Sequence, residues 1–143
     1  SAVNQILVGN SASGTGPSIS SKGSDANIDL RFGSKGSGQI AHENGVRFKA
    51  EKIVASSQAM SLTVPTTNFA GSSNLSGITL ADGNSGDAGA GEIKYFFNSG
   101  SGSVVITPAN LAGGTTVTVA QNEAGFFIWS GSNWHLASKT VAS

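Results

Sequence analysis

The chain contains no cysteine, and only 11% of its residues are charged. Without cysteine there are no disulfides, no thiolate chemistry and no Cys-ligated zinc. The few Lys and Arg residues are scattered and the net charge is +0. A nucleic-acid groove needs a concentrated basic patch to displace counterions, so no nucleic-acid partner is expected. No apolar run approaches the roughly 20 residues of a membrane helix, so no membrane insertion is expected either. The opening residues, Ser1 to Gln5, lack the basic-then-apolar order of a signal peptide. A start on Ser rather than Met suggests either a fragment of a longer chain or a trimmed one. Helix signals are nearly missing: only residues 49–58 have helical character, and Ser56 and Ser57 weaken it, so this stretch reads as a connector or a strand.

What remains is a chain of 143 residues with 20 glycines and a 38% hydrophobic content. That is too apolar for a flexible linker and long enough to bury a core. Gly supplies positive φ, and Asn and Ser cap turns locally, so many short strands between turns fit this composition. The apolar period is two, and strands are expected at 5–8, 27–32, 38–41, 46–49, 60–64, 77–80, 92–98, 103–107, 115–120, 124–130 and 133–138. The fold class is therefore all-β. A short shaft-like strand segment over 1–52 precedes a β-sandwich, jelly-roll-like domain over 53–143.

The first segment carries a faint repeat. Ser21-Lys22-Gly23-Ser24 recurs as Ser34-Lys35-Gly36-Ser37, each followed by an apolar stretch containing Ile28 or Ile40. One strand plus one turn cannot bury an apolar face alone. The units either stack on each other or on copies from other chains, or form an ordinary meander with coincidental turns.

The aromatic residues form the strongest chemical feature. Alternation along Phe126-Phe127-Ile128-Trp129 sends Phe126 and Ile128 to one face and Phe127 and Trp129 to the other. Tyr95, Phe96 and Phe97 make a second strand that is apolar on both sides. Such a strand is either central in a sandwich or covered by a neighbouring chain, which points to a homotrimer. An exposed Trp or Tyr could instead stack on a sugar ring, and Tyr95 and Trp129 are the aromatics nominated for that contact. Trp134 reads as core.

Asp82, Asn84 and Asp87 place oxygen ligands at a spacing that suggests calcium. An EF-hand loop also needs a bidentate Glu at its twelfth position, which here is Ile93, with Glu92 one residue short. An Asp/Gly/Asn turn explains the same residues, so no metal or cofactor is expected. The three residues stay nominated as ligand contacts at an exposed tip formed by loops 81–91 and 98–102.

Nothing assembles into catalysis. His42 and His135 are the only histidines, no Gly-x-Ser-x-Gly elbow occurs, and Glu43, Glu51, Glu92 and Glu123 are dispersed. The expectation is a protein that is not an enzyme.

Three motifs stand in order: Ile78-Thr79-Leu80-Ala81-Asp82-Gly83, then Val105-Ile106-Thr107-Pro108-Ala109-Asn110-Leu111-Ala112-Gly113-Gly114, then Trp129-Ser130-Gly131-Ser132-Asn133-Trp134. In this order, over about 78–138, the chain resembles the closing segment of bacteriophage tail-fibre, tailspike and other virion proteins. Residues 1–50 resemble the shaft pattern of such fibres, through Gly9-Asn10-Ser11-Ala12-Ser13-Gly14 and Ser24-Asp25-Ala26-Asn27-Ile28-Asp29-Leu30. Where those proteins often carry Gln after the loop glycine, this chain has Glu92. The resemblance implies a virion location, contact with other virion proteins and attachment to a host surface polysaccharide or outer-membrane receptor. Two other readings stay open: a capsid decoration or collar-fibre protein without a receptor, and a carbohydrate-binding module.

Overall fold

The computed structural model describes residues 4–12, 14, 16–25, 30–83 and 89–140. Among them there are strands and no helix, so the protein is all-β. The chain divides into two compact units, Ser1–Val46 and Arg47–Ser143.

In the first unit, β1 (Asn4–Gly9) and β2 (Ser18–Gly23) pair antiparallel, with Val8 opposite Ile19 and Ile6 opposite Ser21. Ile6, Val8 and Ile19 share one face and are all more than half exposed. The two Ser-Lys-Gly-Ser stretches do not repeat structurally. The first lies at the end of β2, whereas the second is a turn in which Gly38 N–H donates to the Lys35 carbonyl and Gly36 has φ 64°. Strands expected at 38–41 and 46–49 are absent; of the one expected at 27–32, residues 27–29 lie outside the described residues and 30–32 form no strand.

The second unit contains β3 (Ala50–Ile53), β4 (Ala59–Met60), β5 (Thr66–Phe69), β6 (Leu75–Leu80), β7 (Ile93–Asn98), β8 (Val104–Pro108), β9 (Val117–Val119), β10 (Ala124–Trp129) and β11 (Trp134–Lys139). A five-stranded sheet has the order β11-β10-β7-β5-β3, and a four-stranded sheet the order β4-β6-β8-β9. Successive strands from β3 to β8 alternate between the two sheets. Each therefore pairs parallel with the strand two places on: β3 with β5, β5 with β7, β4 with β6 and β6 with β8. The chain thus makes three coils before β9, β10 and β11 close both sheets antiparallel.

This connectivity corrects the jelly-roll expectation, because a jelly roll is built from antiparallel Greek keys. The Gly/Ser turns that punctuate the sequence were compatible with hairpins, but several are corners that carry the chain to the other sheet. At one corner Gln58 Oε1 accepts from the Val54 and Ala55 N–H groups, and Ser57 N–H donates to the Ser76 carbonyl one coil on. Gly77 (φ 65°) sits where the β6–β8 register shifts, a bulge that a side chain would strain.

One hydrophobic cluster draws on both sheets. Phe69, Phe96, Phe127, Trp129 and Trp134 come from the five-stranded sheet, and Met60, Ile78, Leu80, Ile106 and Val119 from the other. The aromatic side chains interlock, with Phe96–Phe127 centroids 5.1 Å apart and Trp129–Trp134 centroids 5.2 Å apart.

Candidate functional site

Strand β7 fixes the site through an inverted choice of faces. Its alternation places Ile93, Tyr95 and Phe97 on one side and Lys94, Phe96 and Asn98 on the other. Hydrophobic burial would send the first set inward. The opposite occurs: Lys94, Phe96 and Asn98 are each 2% exposed or less, whereas Ile93 and Phe97 are 39% and 36% exposed.

The buried polar groups are fully engaged, which makes the inversion tolerable. Lys94 Nζ donates to Glu51 Oε1 (2.9 Å), to the Ser61 carbonyl (2.7 Å) and to the Val64 carbonyl (2.5 Å). Glu51 on β3 also accepts from the Thr67 hydroxyl on the intervening strand and from Ser61 N–H. Desolvation pushes the Lys94 ammonium below its usual pKa, against the opposing pull of the Glu51 hydrogen bond and charge and of Glu92. Asn98 donates to the Gly102 and Val119 carbonyls and accepts from Gly100 N–H.

The outer face of the five-stranded sheet consequently carries an apolar patch on β7 and β10. Cross-strand register lines up Thr66, Tyr95 and Phe126 in one row and Ile93 and Ile128 in the next. Phe48, just before β3, stacks on Tyr95 at 5.5 Å and 18°, and Phe126 leans on the other side of Tyr95 at 5.6 Å. With Phe97, Thr66 and Thr140 these rings line a shallow groove of about 540 Å³. Lys52 and His135 lie toward the two ends of the sheet, on β3 and β11.

The sheet edges are poor contact surfaces. The outermost strands β4 and β9 have two and three residues, and β3 has four with the charged Glu51 pointing inward. β11 pairs through a bulge between Phe126 and Phe127. Short strands, inward charges and bulges all discourage edge-to-edge pairing.

Of the nominated residues, Tyr95 lies in this groove, half-buried. Trp129 does not. It is 2% exposed, packed on Trp134, and a Cβ on Gly83 would fall 2.5 Å from its ring. Trp129 is core and presents no ring to a sugar. Asp82 is exposed and accepts a 2.9 Å hydrogen bond from Asn110 Nδ2. Asn84 and Asp87 lie outside the described residues. The loop over 98–102 is not an open tip: Asn98, Gly100 and Gly102 are buried, because Gly100 and Gly102 press against the backbone of Gly71 and Ser73. Among the described residues no three His, Cys, Asp or Glu side chains gather as a metal cluster.

Sequence reasoning missed Phe48 and the Lys94–Glu51 pair. The pair's one signal is a charged residue at the centre of an apolar strand, which alternation alone assigns to solvent.

Comparison of the chain with protein-family models, with curated proteins and with solved structures finds no match.

Proposed function

We propose that this chain is a non-enzymatic, homotrimeric terminal domain of a phage tail fibre or tailspike, which holds three chains in register and attaches the particle to a host surface polysaccharide or outer-membrane receptor. The single observation that carries the association is the inversion on β7. A strand that buries Lys94 and Asn98 and turns Ile93, Tyr95 and Phe97 outward supports a reading in which the second face is covered by another chain. The virion setting rests on the ordered motifs over 78–138.

In this reading the second unit is a sandwich-like body wound in parallel coils, and the first unit is the shaft-like segment. Five strands about 4.8 Å apart and ~20 Å long give a face of roughly 400 Å². A stable interface takes about 800 Å² per partner. The sheet face alone is therefore too small; the exposed Ile6, Val8 and Ile19 of the hairpin are a separate apolar area open to contact with copies of the same hairpin. Neutral net charge places no long-range repulsion between copies. Three joined copies convert weak attachment into avidity.

The decisive measurement is the mass by light scattering across a dilution series, for the wild-type chain and for Phe97→Asp. The expected result is a concentration-independent trimer that the substitution dissociates while the β-sheet circular dichroism persists. A wild-type monomer overturns the reading, and favours a carbohydrate-binding module that uses the Phe48–Tyr95–Phe126 rings as a platform. A trimer that binds purified capsids and no host surface component favours decoration.

A further inference from the structure

A second concavity lies where β8 runs into the loop that precedes β9 and that loop meets the turn between β10 and β11. Thr107, Asn110, Leu111, Thr115, Thr116 and Asn133 line a cleft of about 370 Å³. Its chemistry is the reverse of the aromatic groove: hydroxyls and carboxamides over a small apolar floor, with no ionisable side chain in its lining.

The loop is held rigidly. Trp134 N–H donates to the Asn110 carbonyl (2.6 Å), Ala112 N–H to the Trp134 carbonyl (2.8 Å) and Gly114 N–H to the Leu111 carbonyl (2.9 Å). Ala109 N–H ties the start of the loop to the Leu80 carbonyl (3.0 Å). The Trp134 ring beneath is itself fixed, donating from Nε1 to the Ala81 carbonyl. Asp82 then orients the Asn110 carboxamide from the side. The loop backbone and the Asn110 carboxamide are thus preorganised, which lowers the entropy lost on binding.

We infer that this cleft is a binding subsite for an uncharged saccharide. A ligand dense in hydroxyls and free of charge matches a wall of Thr and Asn side chains. An acidic sugar meets no cation there and faces the Asp82 carboxylate beside Asn110, and a basic ligand finds no carboxylate in the lining. The volume falls at the lower end of small-ligand sites, which suits a short stretch of a longer chain. The inference rests on the attachment reading above and gives it a place and a sugar class.

The test is an amide-resolved NMR titration of the full chain with two sets of tetrasaccharides. One set is neutral, derived from dextran, cellulose and galactan, and the other is uronic acid, derived from alginate. Saturable shifts at residues 107–116 and 133 with a neutral sugar, and none there with the acidic one, are the expected result. Asn110→Ala should weaken that binding about tenfold, the loss of one hydrogen bond to ligand. Thr116→Val, which keeps the side-chain shape, should weaken it in the same direction. No response from any neutral sugar, equal binding of the acidic set, or unchanged affinity in both variants overturns the inference. Light scattering on the same samples separates the two claims. A trimer with a silent cleft overturns only the saccharide subsite, whereas a monomer that binds neutral sugar overturns only the trimeric fibre reading.

Discussion

The two units solve the problem of apolar surface in opposite ways. The second unit hides fourteen hydrophobic residues, from Ile53 to Trp134, in one cluster fed by both of its sheets. The first unit is a two-stranded hairpin that leaves Ile6, Val8 and Ile19 at 67%, 68% and 55% exposure. A lone two-stranded hairpin is at best marginally stable in water, whereas sheets with a shared apolar interior are stable alone. The same chain therefore contains a body with its own hydrophobic core and a segment that buries little apolar surface.

Separating the units tests this most directly and carries the largest expected effect. A chain of residues 47–143 should retain its β-sheet circular dichroism and unfold cooperatively. A peptide of residues 1–46 should give dispersed amide NMR signals only at concentrations where it self-associates. A well-dispersed monomeric spectrum of the short peptide would dissolve the contrast.

Single substitutions sharpen it. Trp134→Ala removes a fully buried ring and its hydrogen bond to Ala81, and should cost about 3–5 kcal/mol in urea unfolding. Val8→Ala in the hairpin should leave that transition unmoved and act instead on the oligomer mass. If the two substitutions shift the unfolding midpoint equally, the units are not energetically distinct.

The Lys94–Glu51 pair tests how the second unit tolerates its inverted strand. Glu51→Ala strands a buried ammonium and should cost about 3–5 kcal/mol. Replacing both partners by Met removes the desolvation penalty with the attraction, but takes partners from the Thr67 hydroxyl, Ser61 N–H and the Ser61 and Val64 carbonyls, so it should recover only part of that loss. Denaturant midpoints of the single and double variants decide this, and a double variant worse than Glu51→Ala would show that the pair contributes more than mutual neutralisation.

These particulars show what the sequence makes legible. The all-β class, β1 and the strands from β6 onward follow from period-two alternation bounded by Gly, Asn and Ser. The opposite facing of Phe126 and Phe127 is read correctly for the same reason. Three things were hidden. Strands β2 and β5, Ser18–Gly23 and Thr66–Phe69, are rich in Ser, Thr and Asn and carry little apolar signal. The winding was hidden because a corner between sheets and a hairpin turn use the same residues. The face chosen by β7 was hidden because it depends on Glu51, 43 residues upstream, and no local pattern reports that meeting. Tyr95, nominated for its place on a two-sided strand, lines the groove, whereas Trp129 looked identical by that criterion and is core because Gly83 lets the chain close over it.

The smallest expected effect lies in the alkaline limb of the stability curve. Burial lowers the Lys94 pKa below its ordinary 10.5, with Glu51 opposing the shift. Between the lowered value and 10.5 the unfolded chain binds more protons at this position than the folded one, so the contribution of Lys94 to stability rises with pH across that window. Below it both states are protonated and the contribution is flat. Lys94→Met removes the titration and leaves every other alkaline group in place. The difference in urea midpoint between wild type and Lys94→Met, followed upward from pH 7, should therefore move in favour of wild type as pH approaches 10.5. A difference that moves the other way would mean that the attraction of Glu51 outweighs desolvation, and that β7 holds its lysine inward by charge and not in spite of it.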